Sequence, residues 1–184
     1  MKAAEAVAAA VDAAGNALYV SSLGTASSAL RLASGDGPHF YLGGAMGCGL
    51  AVALGVAERC PDRSVVAIVG DGDLLMGAGS LWSFSGLRPP NMLALVLDDG
   101  RYSITGGQDV VDPDALRHVA GALPGLDAAV AATPAQVSDR VRTLARPCIV
   151  VARIDEPEWP GPSPFVDPVR VRSRFLENAL GAAP

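Results

Sequence analysis

Two short apolar runs dictate the kind of fold this chain can adopt. Val65-Val66-Ala67-Ile68-Val69 and Met92-Leu93-Ala94-Leu95-Val96-Leu97 have no polar residue at alternate positions, so each must be covered on both faces. Strands of that kind sit in the middle of a parallel sheet between helices. Each run stops in acid and glycine: Gly70-Asp71-Gly72 after the first, and Asp98-Asp99-Gly100 after the second, with twenty-five residues between Gly72 and Asp98. Open α/β sheets bind ligands beyond the carboxyl ends of their strands, which is where both turns fall. If the two strands are close neighbours, Asp71 and Asp99 converge on one point.

The first turn leads into a helical pattern, with Leu74, Ala78, Leu81 and Trp82 at three- and four-residue spacing. A helix amino terminus suits a phosphate. A carboxylate beside a phosphate site needs a reason, because like charges repel. A bridging divalent cation such as Mg²⁺ supplies one, since it takes hard oxygen ligands from both.

Around this centre the chain alternates. A helix over residues 2 to 14 stops at Gly15, and Leu18 to Ser21 reads as a strand. Ala29 to Ala33 belongs to a short helix begun within the loop Ser22 to Ser28, His39 to Leu42 is a strand, and Gly43 opens a helix to about Cys60. That helix is dense in glycine and alanine. Glycine costs roughly 1 kcal/mol in a helix interior, so close packing or a nearby cofactor is expected, with cofactor contact confined to Gly43 to Gly47. Asp112-Pro113 starts a helix to Ala122, Asp127 to Ala131 is a strand, Thr133-Pro134 starts a helix to Ala145, and Cys148 to Arg153 is the sixth strand. The expectation is a three-layer α/β/α fold around a doubly wound, mostly parallel six-stranded sheet. Residues 1 to 153 form that domain. Residues 154 to 184 form a proline-rich arm carrying Trp159 and Phe165 and a last helix from Val169 to Leu180, packing on the same domain or on a partner.

Charge narrows the partners. A net charge of -5 with no cluster of Lys or Arg argues against nucleic acid and anionic membrane. No window of eighteen apolar residues spans a membrane, and Glu5 and Asp12 interrupt any signal-peptide core. Cys48, Cys60 and Cys148 are odd in number and widely spaced, so they read as reduced core thiols of a cytoplasmic protein. His39 and His118 are given no role.

The Gly-Asp-Gly with its distant Asp-Asp-Gly resembles the thiamine diphosphate motif, a Gly-Asp-Gly followed some two dozen residues later by Asn-Asn. Leu74-Leu75-Met76, Asp98 to Tyr102 and Thr105-Gly106-Gly107-Gln108 are similar to the β subunits of sulfopyruvate decarboxylase and to phosphonopyruvate decarboxylases, and the likeness extends over residues 1 to 30 and 167 to 180. The resemblance implies thiamine diphosphate and Mg²⁺ as cofactors, with Asp71, Asp99 and the Arg101 carbonyl as metal ligands. It implies cofactor contacts from Gly44, Met46, Gly70, Gly72, Asp73, Leu74 and Thr105, with Met46 beneath the cofactor and the Gly44 carbonyl on its amine. Thr105 and Gln108 either cover the diphosphate, reach the substrate or serve the turn at Gly106-Gly107, and Tyr102 packs. Asp99 departs from the family Asn but remains an oxygen ligand.

Asp73 also departs from this branch. It resembles the β subunits of 2-oxoacid:ferredoxin oxidoreductases, or else it caps a helix. The family's catalytic Glu comes from a pyrimidine-binding domain, and no segment here matches one. No catalytic residue is therefore expected in this chain; a pyrimidine-binding α subunit supplies the base, in an α2β2 or larger assembly acting on a small 2-oxo acid. The alternatives are thiamine-dependent acyl transfer, the oxidoreductase β subunit, and a non-catalytic relic of the fold.

Overall fold

The computed structural model describes residues 1–110, 115–156, 160–162 and 167–181. Its strands are β1 (Leu18–Ser21), β2 (Phe40–Tyr41), β3 (Val65–Gly70), β4 (Met92–Asp98), β5 (Arg101–Tyr102), β6 (Gln108–Asp109), β7 (Asp127–Ala131) and β8 (Cys148–Arg153). Its helices are α1 (Ala3–Ala14), α2 (Thr25–Ser34), α3 (Gly49–Arg59), α4 (Asp71–Met76), α5 (Gly79–Leu87), α6 (Ala115–Ala122), α7 (Pro134–Thr143) and α8 (Pro168–Leu180). Six strands form one sheet in the order β2-β1-β3-β4-β8-β7, every pairing parallel, while β5 and β6 form a small antiparallel hairpin.

The double coverage demanded by the apolar runs is met by helices on both faces. Val66, Ile68, Leu93 and Leu95 point to one face, where Val7 of α1, Leu30 of α2 and Val137 of α7 pack. Val65, Ala67, Val69, Met92, Ala94 and Val96 point to the other, against Leu50, Leu74, Phe84, Leu116 and Phe175. Burying a large apolar side chain this way contributes about 1.5–3 kcal/mol. The chain reverses direction of winding between β1 and β3, so the crevice at the carboxyl ends of these strands is the natural ligand site. No helix among the described residues is long and apolar enough to cross a membrane.

α2 begins at Thr25, inside the Ser22–Ser28 loop as expected, where Gly24 with φ 65 turns the chain from β1 into the helix. Two boundaries differ from expectation. Residues 43 to 48 are not helical; Gly47 has φ 85, a left-handed value that ends any helix from Gly43, and α3 starts at Gly49. The helix expected from Leu74 starts at Asp71 instead and breaks at Gly77 before α5 resumes, leaving Trp82 exposed. Cys60 and Cys148 are buried as expected, but Cys48 is exposed at the start of α3. The expected helix start at Asp112-Pro113 and the aromatics Trp159 and Phe165 lie outside the described residues. α8 is anchored by Phe175 against Phe40, ring centroids 5.4 Å apart, and Asp167 caps it by accepting from the Val169 N–H at 2.9 Å.

His39 turns out to be buried at the sheet edge, between the rings of Tyr19 at 5.2 Å and Tyr41 at 6.1 Å. Burial, helped by the Arg174 charge, pulls its pKa down to about 4, and the two flanking phenols are pushed up to about 12 by the same desolvation. Arg31 and Asp36 lie near Tyr41 and complete the charged surroundings. A neutral buried histidine protonates more readily in the unfolded chain, so stability is intact above the unfolded value of 6.5 and is lost as the pH falls toward 4. The expected loss is about 3 kcal/mol at most. Urea unfolding at pH 7 and pH 4 checks this: wild type should lose that much more than His39→Phe, and equal losses would contradict it.

Candidate functional site

Parallel pairing of β3 with β4 sets Gly70 opposite Leu97, so the two acidic turns leave the sheet side by side. Asp71 is 2% exposed, yet its carboxylate is held by two backbone donors: Gly72 N–H donates to Oδ1 at 2.7 Å and Gly100 N–H to Oδ2 at 2.8 Å. Gly100 has φ 71, which lets its amide turn toward Asp71. Burial above all pushes the Asp71 carboxyl up to about 7, and the Asp99 and Asp98 charges add to the rise while the two amides oppose it. Asp99 accepts from Arg101 N–H at 3.0 Å and from Ser103 Oγ at 2.5 Å. Asp98 is buried and faces the Arg153 guanidinium at 3.6 Å.

Beside these carboxylates lies a cleft of roughly 680 Å³, its mouth included. Its walls are the β1–α2 turn (Ser22, Leu23, Thr25, Ala26), the Gly70–Asp73 turn, Met46, and the segment from Asp99 to Thr105. The β5–β6 hairpin roofs it. Tyr102 lies so close over Gly72 that a Cβ there would stand 2.7 Å from its ring, and Ile104 crosses to Gly24 in the same way. No glutamate lines the cleft among the described residues.

Of the residues singled out in sequence, the structure brings Met46, Gly70, Asp71, Gly72, Asp73, Asp99, Arg101 and Thr105 into the cleft wall. Leu74 does not join them: its side chain is buried in the core beneath α4. Gly44 stands exposed outside the lining. The Arg101 side chain is 62% exposed and turns to Asp109, 4.0 Å away, so only its backbone is offered to the site. Thr105 and Gln108 serve the hairpin tip, where Gln108 Nε2 donates to the Thr105 carbonyl at 3.1 Å. Asp73 lines the cleft but does not cap its own helix: its Oδ1 accepts from Gly47 N–H at 2.8 Å and its Oδ2 lies against Gly49. Burial pushes its pKa up, while these two backbone groups favour the charged carboxylate. Sequence reasoning missed the β1–α2 turn as part of the site, for which Gly24-Thr25 shortly after a strand was the available signal; Tyr102 packs as expected, over Gly72 and in the cleft wall.

The donor set suits a hard divalent cation. Asp71, Asp98 and Asp99 stand together on the two turns, and the Asp71 carboxyl, pushed up to about 7 chiefly by burial, is favoured in its charged form by any cation that arrives. Among the described residues no three His, Cys, Asp or Glu side chains form a self-sufficient metal cluster. A cation bound here would need its remaining ligands from backbone carbonyl and from a bound anion, as Mg²⁺ takes them from phosphates.

The family model for the thiamine pyrophosphate enzyme C-terminal TPP-binding domain matches residues 6–143. The chain belongs to that family. Among its relatives, the phosphonopyruvate decarboxylase of Streptomyces viridochromogenes is 44% identical over 93 residues, which is 50% of this chain and 23% of that enzyme. The sulfopyruvate decarboxylase subunit beta of Methanococcus maripaludis is 26% identical over 166 residues, 89% of each chain. In fold it matches the 2-oxoglutarate:ferredoxin oxidoreductase of Magnetococcus marinus with a TM-score of 0.65 at 17% identity, over 83% of this chain and 61% of that one. This chain is thus a thiamine diphosphate-binding domain related to sulfopyruvate decarboxylase β subunits, and it spans less than a quarter of the phosphonopyruvate decarboxylase it matches.

Proposed function

We propose that this chain is the diphosphate-binding subunit of a split thiamine diphosphate-dependent decarboxylase acting on a 2-oxo acid, one with a second anionic group such as a sulfonate or phosphonate. The observation that carries the reading is Asp71: a buried carboxylate at the end of a central strand, tied to both acidic turns and destabilised until a cation joins it. The substrate class rests on the names of the relatives. The split organisation rests on the match to a β subunit over 89% of its length and on the lack of a glutamate in the described cleft wall.

In this reading Asp71, Asp99 and the Arg101 carbonyl hold Mg²⁺. Thr25 and the first-turn amides of α2, which open onto the cleft, hold diphosphate oxygens. Met46 supports the underside of the cofactor ring, and Tyr102 with the hairpin excludes water above it. Thiamine diphosphate supplies the electron sink for loss of CO₂. The base that activates it comes from a pyrimidine-binding subunit, since proton transfer requires a group within hydrogen-bond reach.

That subunit docks on the outer face of α4 and α5. Met76, Trp82 and Leu87 are exposed there, α5 carries no charge, and Met76 touches the Gly47 turn, so the face is continuous with the site. Trp82→Asp should leave the chain folded and reduce cofactor binding by the mixed subunits to that of the chain alone. Calorimetric titration of thiamine diphosphate with Mg²⁺, into this chain and into its mixture with the pyrimidine-binding subunit, tests the reading as a whole. Binding in the mixture is expected; no binding in either state refutes it, and turnover of a 2-oxo acid by the isolated chain refutes the external base.

A further inference from the structure

We propose that Asp73 is a positioning residue: its carboxylate clamps the Gly47–Gly49 turn and so fixes Met46 relative to the Gly70–Asp73 turn, instead of binding the diphosphate. The inference rests on the thiamine diphosphate reading and assigns within it a role that separates Asp73 from its neighbours.

The argument begins with α3. The first turn of a helix leaves amides with no partner inside the helix, and the residue before it, Cys48, makes no side-chain cap. Asp73 reaches this end of α3 from another element: its Oδ1 accepts from Gly47 at 2.8 Å and its Oδ2 lies against Gly49, the first residue of α3. A negative charge there also complements the helix dipole. The approach is close enough to require glycine. A Cβ at Gly49 would stand 3.1 Å from Asp73 Oδ2 and 2.7 Å from Val69 Cγ1.

The clamp has a second jaw. The Gly77 backbone passes directly against the Gly47 carbonyl, and Gly77 N–H bonds to the Asp73 carbonyl at 3.1 Å. Residue 73 therefore holds the turn with its side chain and anchors the second jaw with its backbone. Met46, immediately before the clamped turn, reaches over the acidic one; its Cε lies 3.6 Å from where a Cβ on Gly72 would be. Fixing Gly47 fixes the height of Met46 above the turn that carries Asp71. A carboxylate already held by the Gly47 amide and packed against Gly49, and which repels phosphate, has no comparable use at the diphosphate itself.

The test uses Asp73→Ala and the more conservative Asp73→Asn in the full chain, with two readouts. By hydrogen exchange, Asp73→Ala should speed the Gly47 and Gly49 amides about tenfold or more, as for loss of a helix cap, while the Gly72 and Gly100 amides keep their protection. Asparagine retains one acceptor, so Asp73→Asn should fall between alanine and wild type. By titration with Mg²⁺ in the presence of the pyrimidine-binding subunit, thiamine diphosphate should bind about tenfold more weakly to Asp73→Ala, while inorganic diphosphate, which does not touch Met46, should change less than twofold. Unchanged exchange at Gly47 and Gly49 would overturn the clamp, and equal weakening of both ligands would overturn its separation from the diphosphate. If Asp73→Ala does not fold, the same comparisons are made on Asp73→Asn. A wild type that binds no thiamine diphosphate would instead refute the cofactor reading, a failure visible without any variant.

Discussion

Asp71→Ala is expected to abolish Mg²⁺-dependent binding of thiamine diphosphate, and Asp99→Asn to retain it. The two carboxylates differ in what else they do. Among the described residues Asp71 alone bridges the Gly72 and Gly100 amides, so its loss unties the two acidic turns from each other and, on the proposed reading, also removes a metal ligand. Changes in the partners of metal ligands cost ten- to a hundredfold in affinity, and loss of a ligand costs at least about a hundredfold. Asp99 accepts from the Arg101 amide and the Ser103 hydroxyl. Asparagine accepts the first with its carbonyl oxygen and donates its amide to the second, because a hydroxyl works in either sense. Calorimetry of each variant with thiamine diphosphate and Mg²⁺ decides the point, and binding by Asp71→Ala at wild-type affinity would remove the metal role of Asp71.

The same burial gives the ligand-free protein a pH signature. The Asp71 carboxyl titrates near 7 when folded, above the unfolded value of 3.8. An acid raised in this way contributes stability that is full below 3.8 and lost as the pH rises through 7, by about 4 kcal/mol for a shift of this size. Mg²⁺ binding favours the charged form and should return much of it. Asp71→Asn, which cannot ionise, should therefore show a flatter stability profile from pH 4 to 8 and no gain on adding Mg²⁺.

Those turns were legible in the sequence because their signals are local. A β-branched run with no polar alternation announces a doubly covered strand, and an acid-glycine pair after it announces a ligand turn; β3, β4 and the Asp71–Asp99 convergence follow from these. The boundaries that misled, Gly43 to Gly49 and Leu74 to Leu81, were set by contacts between segments far apart in the chain. Nothing near Gly47 in sequence says that Asp73 will cap α3, and nothing near Gly77 says that another backbone will pass over it. Asp73 read locally has two uses, cofactor contact or capping of its own helix, and the fold supplies a third. Leu74, next to it, is drawn into the core by helical periodicity that begins three residues earlier than the apolar pattern suggests. The hairpin of β5 and β6 escaped because Arg101-Tyr102 and Gln108-Asp109 are short, mostly polar and exposed, with no apolar run to mark them.

Gly77→Ala tests the closest of those distant contacts and should be the most damaging glycine substitution of the site. The backbone dihedrals of Gly77, φ -100 and ψ 27, are open to alanine, so conformational restriction of the unfolded chain would by itself favour the change by about 0.4–1 kcal/mol. Space decides the sign instead. The new Cβ would stand 1.9 Å from the Gly47 carbonyl oxygen and 2.7 Å from its carbon, and both are backbone atoms with no side-chain torsion to relieve them. Overpacking of this kind costs about 1–3 kcal/mol even when surroundings yield. Gly79→Ala provides the control two residues away: nothing lies within 4 Å of its Cβ position and it begins α5, so alanine there should be neutral or stabilising by up to about 1 kcal/mol. Urea unfolding should show the two variants moving in opposite directions. What yields in Gly77→Ala is the Gly47 turn, since Gly77 itself is fixed between two helices. Met46 then lifts away from Gly72, and thiamine diphosphate should be weakened more than inorganic diphosphate. Equal stability of the two variants would mean that the Gly47–Gly77 contact is not held in solution, and the second jaw of the clamp would fall with it.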